Sequence, residues 1–287
     1  MSQPEFALPT TAARQLREML VGEIEADRLE LPVLPETAAA VMEAVRDENT
    51  GARRLADIIE RDQSLAAHLL RVANSAAFNR GQPIVSLPQA INRLGVASVA
   101  EIVTAVAVQG KVFRVQRFEA HLRRLWQHSA AAGVWAREIA RQRRRNVEGA
   151  FLCGLLHDIG EPVLLQAVAQ FEWRDKKPFD DADVFAVMEE LHAQVGGVLV
   201  SRWALADWMA DAIAWHHTPE AAPRHEEEAM TTCLADHLAH WALERPEDDT
   251  EALRALPILR DLNIYPEELD QLLAARECVL AITEDWA

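Results

Sequence analysis

Residues 151–165, FLCGLLHDIGEPVLL, decide how the chain reads. Four apolar residues, Phe151, Leu152, Leu155 and Leu156, carry a His157-Asp158 pair toward the interior. Gly160 and Pro162 follow, the first a favoured helix stop and the second a favoured first helical position. The pair is therefore expected at a break between two buried helices. A carboxylate in that place is costly unless it is paired or bound to a metal. Successive helical side chains point about 100° apart, so both residues can reach one ion. An isolated His-Asp dipeptide also fits a capped, hydrogen-bonded pair with no ion. The other ligands on offer decide between these.

The surrounding composition is that of an all-helical protein. Half of the 287 residues are hydrophobic, and the strand-forming aromatics are scarce, with one tyrosine, Tyr265. Cys153, Cys233 and Cys278 are odd in number and lack metal-ligand spacing, which argues for a reducing compartment and against a disulfide framework. The N-terminus mixes apolar residues with Glu5, Arg14, Arg17 and Glu18, unlike a signal peptide. No uncharged apolar run reaches 18 residues, so no spanning helix and a cytoplasmic setting are expected. The net charge of −16 is concentrated at the end: residues 216–287 hold 17 acidic and 5 basic residues. Residues 111–145 reverse this, with ten basic residues against Glu119 and Glu138. Such a balance opposes nucleic-acid binding. The basic stretch suits a solvated helix face, a phosphate-bearing ligand or an acidic partner.

Outward from the central pair, apolar periodicity predicts a succession of helices. Thr11–Asp27 comes first, then a helix from Pro35 to about Arg46, a short one through Leu55, Ile58 and Ile59, and Gln63–Ala76. Ser86 caps the next, and Gly95 separates it from Val96–Val112. The second half opens near Arg117 with a helix that ends in the Arg141–Arg145 cluster. Glu148–Leu156, Val163–Phe171, Val184–Trp203, Asp207–Trp215 and Glu226–Trp241 follow, then closing helices over Glu251–Leu259 and Glu267–Ile282. Residues 173–183 read as a polar connection, and Gly196-Gly197 as a pair permitting close packing. No phosphate-cradling glycine loop or nucleophile elbow occurs in the first half.

The second half supplies, in order, His128, His157-Asp158, His192, His216-His217 and Asp236, all on helices or helix ends. Imidazole nitrogens with carboxylate oxygens suit Mn, Fe, Zn or Mg, and such a site assists phosphoester hydrolysis. Taken singly, His128 and His192 fit core histidines bonded to a carbonyl, and His216-His217 fits a helix end.

The order of these residues resembles the HDOD family, a signalling branch of the HD superfamily. The resemblance covers Leu31 to about Thr218. It rests on LPVLPE, ERDQSLAAHLLRVANSAAF and QAINRLG in the first half, and on LWQHS, AFLCGLLHDIG, HAQVGGVLVSRW and AIAWHH in the second. It implies an all-α fold of two packed helical subdomains, the second an HD-type bundle. The division expected is an N-terminal helix at 1–30, a first helical subdomain at 31–115, an HD-like one at 116–220, and acidic helices at 221–287 completing the bundle. The wider superfamily implies metal ligands that fall on His128, His157, Asp158 and Asp236. The HD-GYP branch, which hydrolyses cyclic di-GMP, adds histidines matching His192, His216 and His217, for a second metal or the pocket.

Three departures stand out. Glu161 replaces a cation that would steady phosphate. TPEAAPRHEEE stands where a Gly-Tyr-Pro signature would follow, and Asp62-Gln63 replaces the family's Asp-Pro. The leading expectation is a bacterial, non-catalytic signalling module acting on other signalling proteins through ligand- or partner-dependent helical packing. The alternative is a metal-dependent phosphohydrolase of a nucleotide or cyclic dinucleotide. Its phosphates would meet arginines of the basic stretch, from Arg123, Arg124, Arg141, Arg143, Arg144 and Arg145. Membrane partners are not expected.

Overall fold

Helix signals and observed elements coincide closely. The computed structural model describes residues 10–31, 35–45, 47, 50–74, 84–111, 115–246 and 249–284. The described residues are overwhelmingly helical, with no strand among them. The first half comprises α1 (Thr11–Glu25), α2 (Glu36–Val45), α3 (Ala52–Ile59), α4 (Gln63–Asn74), α5 (Leu87–Leu94) and α6 (Val96–Lys111). The second comprises α7 (Glu119–Gln142), α8 (Val147–Leu156), α9 (Gly160–Asp175), α10 (Asp181–Arg202), α11 (Asp207–Ala214) and α12 (Glu226–Glu244). Four short helices close the chain: α13 (Glu251–Arg254), α14 (Pro257–Asp261), α15 (Pro266–Ala274) and α16 (Arg276–Glu284).

Local chemistry sets these boundaries. Ser86 Oγ accepts from Gln89 N, as a cap should, and Asn146 and Asp180 do the same for α8 and α10. Asn74 ends α4 and reaches across the following residues, accepting from Ile84 N at 2.7 Å and donating to Ile84 O at 2.8 Å. Arg46, Ala76 and Val112, where three of the expected helices end, lie outside the described residues. The polar connection is shorter than expected, because α9 runs on to Asp175 before Lys176 turns left-handed at φ 54°. Both closing stretches split in two. In the first, Pro257 lacks an N–H and begins a new helix.

One apolar core runs through both halves. Helix α7 lies at the centre of the second half, packed on α8 and α12, while α10 packs on α9 and α11. Helix α6 links the halves by meeting α2 and α8. Helix α1 lies along α10, with Ala13, Leu16 and Leu20 fully buried and Thr10 Oγ1 donating to Asp183 at 2.6 Å. Two stretches, Gly149–Asp175 and Asp181–Arg202, are long and apolar enough to cross a membrane, contrary to the expectation that none would be. Their apolarity serves the core: 83% and 61% of those windows are buried inside the protein.

Candidate metal centre

Four helix–helix crossings bring the polar residues of the second half together. His128 lies midway along α7, and Asp236 lies on the buried face of α12. His157 and Asp158 fill the turn between α8 and α9. Gly160 does not stop a helix, as its sequence position suggested; it opens α9. A Cβ there would sit 2.0 Å from His192 O, so only glycine lets α9 start against the α10 backbone. Gly197 acts similarly one turn further on, where a Cβ would stand 2.8 Å from Ala214 Cβ. That close approach of α10 and α11 puts His216 and His217 beside His192.

The result is two donor sets that share one carboxylate. Asp158 Oδ2 lies 3.1 Å from His157 Nε2 and 3.8 Å from His128 Nε2. Asp236 Oδ1 completes this first set, 2.9 Å from His128 Nε2 and 3.6 Å from His157 Nε2. The other oxygen, Asp158 Oδ1, lies 3.2 Å from His192 Nε2 and 3.7 Å from His216 Nε2. His217 Nε2 joins this second set, 2.9 Å from His192 Nε2. All seven sequence-predicted ligands therefore face one place.

The imidazoles are held by their opposite edges. The Nδ1 atoms of His157, His192 and His216 lie 2.7–2.9 Å from the carbonyls of Gly154, Met188 and Ile213. An Nδ1–H bonded to a carbonyl leaves Nε2 as a lone pair, the arrangement that metal-ligating histidines adopt. His192 and His216, whose Nε2 atoms lie 3.4 Å apart, then present lone pairs to one another, which is unfavourable without a cation between them. Grouped by distance, His128, His157 and Asp236 could hold one ion, and His192, His216 and His217 another. The donor chemistry fits divalent metals.

Without metal, protons take that role. Burial disfavours a charged His157, yet Asp158 and Asp236 outweigh it and raise its pKa well above the usual value. His192, likewise buried, is raised to about 9 by Asp158. Burial would raise the carboxyl pKa of Asp158 and Asp236, but the histidines hold both well below the ordinary range. Burial and neighbouring imidazolium charge push His216 well down and His217 to about 4. Two carboxylates are thus balanced by protons on His157 and His192.

A cavity of about 270 Å³ opens onto these groups, its rim formed by His121, Arg124, Glu161, Glu189, His240 and Glu244. His240 Nε2 lies 3.4 Å from Asp236 Oδ1 and its Nδ1 lies 3.3 Å from Glu244. Of the six arginines expected to meet phosphate, Arg124 alone lines this cavity. Arg123 faces Glu119 at 3.6 Å on the exposed side of α7. Arg141, Arg143, Arg144 and Arg145 lie beyond reach, because 17 residues of helix separate Arg141 from Arg124, about 25 Å. Arg141 pairs with Glu138, Arg143 and Arg145 pair with Glu227, and Arg144 is exposed in a left-handed turn. That cluster is structural, tying the end of α7 to α12.

Sequence reading missed His121, whose Nε2 lies 2.7 Å from Glu161 Oε2. Glu161 is therefore not the lone anion that it seemed. The signal was present: His121, Arg124, Leu125 and His128 follow i, i+3, i+4, i+7 and share one helix face.

Comparison with known proteins agrees with this architecture. The fold matches that of a Shewanella amazonensis SB2B protein described provisionally as a metal-dependent phosphohydrolase, with a TM-score of 0.73, 22% identity, and 96% of this chain and 100% of that one covered. An HDOD domain protein of unknown function from Geobacter sulfurreducens matches with a TM-score of 0.67 at 24% identity, covering 96% and 97%. An uncharacterized Treponema pallidum (strain Nichols) protein is 24% identical over 216 residues, 72% of this chain. The chain spans 42% of that relative's length. Residues 31–219 match the HDOD domain model, and the chain belongs to the HDOD family.

Proposed function

We propose that this chain is an HDOD signal-transduction module that holds two divalent cations and retains metal-dependent phosphoester hydrolysis. The observation that carries this reading is Asp158, which turns one oxygen to each of two histidine sets. His128, His157 and Asp236 would hold one ion with Asp158, and His192, His216 and His217 the other. Bound divalent cations supply an acidified water and polarise a phosphoryl oxygen. Nitrogen-rich sets favour Mn, Fe or Zn over Mg. Arg124, one turn before His128, lines the cavity and would take a phosphate oxygen there.

A second reading, the non-catalytic signalling module, is favoured by the rim itself. Glu161, Glu189 and Glu244 surround a single arginine, a poor host for a cyclic dinucleotide with two phosphates. In that reading, metal loading changes how the helices pack and so what partner signalling proteins meet. Elemental analysis of purified protein, followed by assay of phosphomonoesters and cyclic dinucleotides with Mn²⁺ present, separates the two. The hydrolytic reading expects two ions per chain and multiple turnovers. Two ions with no turnover leaves the signalling reading, and a metal-free protein that cannot be loaded removes the centre altogether.

A further inference from the structure

We infer that His121 and Glu161 form a proton-donating pair for the leaving group of the hydrolysed phosphoester; this rests on the hydrolytic reading above. His121 and Glu161 both line the cavity whose floor is the donor cluster. They reach it from different elements, His121 from α7 and Glu161 from the first turn of α9, three residues beyond Asp158. Their contact is short, 2.7 Å from His121 Nε2 to Glu161 Oε2, and both side chains are mostly shielded from solvent. The ring of Phe185 lies against His121, 4.7 Å between centroids, and fixes its plane.

The two nitrogens of His121 are used oppositely to those of the cluster histidines. In His157, His192 and His216, Nδ1 is spent on a backbone carbonyl and Nε2 faces the centre. In His121, Nε2 is spent on Glu161, and Nδ1 has no hydrogen bond among the described residues. A carboxylate behind one nitrogen fixes the ring's orientation and leaves the opposite nitrogen to exchange a proton. His121 stands two helical turns before His128, about 10 Å along α7. A phosphate seated on the floor would send its ester oxygen outward toward this rim.

The step balances without a further reagent. A water oxygen bonds to phosphorus while the ester P–O bond breaks, and its electron pair goes to the leaving oxygen. That oxygen takes the Nδ1 proton of His121. One proton of the attacking water stays with the phosphate, and the other restores His121 through solvent. The Nε2 proton stays on His121, hydrogen-bonded to Glu161, throughout.

A donor of this kind matters for a poor leaving group and little for a good one. The test therefore compares glycerol 2-phosphate with p-nitrophenyl phosphate on Mn²⁺-loaded protein. His121→Gln should lose on the order of a hundredfold in kcat on the alkyl ester and far less on the nitrophenyl ester, with bound metal undiminished. Glu161→Gln should show the same ester-selective loss at about tenfold and serves if the histidine variant does not fold. Equal losses on both esters, or no loss, would overturn the assignment. So would a wild type that hydrolyses the nitrophenyl ester alone. A metal-loaded wild type inert toward both would instead sink the hydrolytic reading itself, taking this pair with it.

Discussion

The two donor sets around Asp158 are unequally made. One combines His128 and His157 with a private carboxylate, Asp236, and is buried throughout. The other gathers three imidazoles, His192, His216 and His217, and has no anion except the shared Asp158; its third member, His217, is exposed. A carboxylate offsets the charge of an incoming cation, whereas neutral imidazoles only solvate it. The first set should hold its ion more tightly, and the second should exchange more readily with the medium. One centre would then combine a fixed site with an adjustable one.

Removing what they share should have the largest effect. Asp158→Ala is expected to lose both ions, to leave the buried His192 imidazolium without its carboxylate and to leave His157 with Asp236 alone, destabilising the metal-free protein by about 3–5 kcal/mol. Elemental analysis and thermal unfolding would show this, and retention of one ion would mean that the sets are independent. Breaking either set alone should halve the metal content. Asp236→Ala is expected to leave the second ion in place, while His217→Ala should weaken only that second ion, by about 10–100-fold, with little change in Tm because His217 lies at the rim. Titration of metal into each variant would read the difference, and equal losses would erase the contrast. The smallest effect concerns protons. His157 and His192 hold raised pKa values without metal, His192 at about 9, so metal uptake at neutral pH must expel both protons. Affinity should therefore rise as pH rises toward 9, and calorimetry in buffers of different ionisation enthalpy should find about two protons released.

Much of this was legible in the primary structure. Helical periodicity and cap residues such as Ser86 located the elements, and the order His128, His157-Asp158, His192, His216-His217, Asp236 named every member of the cluster. The pairing within it was not legible. Which oxygen of Asp158 meets which histidine depends on how closely α9 approaches α10, and that is set by the absent Cβ of Gly160. The arginines misled for a related reason. Charge counts along residues 111–145 cannot distinguish the ends or the faces of α7, and of the six arginines only Arg124 lies both at the end and on the face where the cavity opens. Glu161 looked hostile to phosphate because its partner His121 is 40 residues away in the chain.

The placement of α12 and α1 carries a further consequence. The family match stops at residue 219, yet Asp236 comes from α12, and α1 covers the flank of the helix that bears His192. The recognisable domain is therefore an incomplete vessel: cut at its own borders, it would lack the candidate ligand Asp236 and expose a greasy seam along α10. Evolutionary bookmarks and folding units need not coincide, and here the donor cluster overruns one edge of the bookmark and the packing overruns the other.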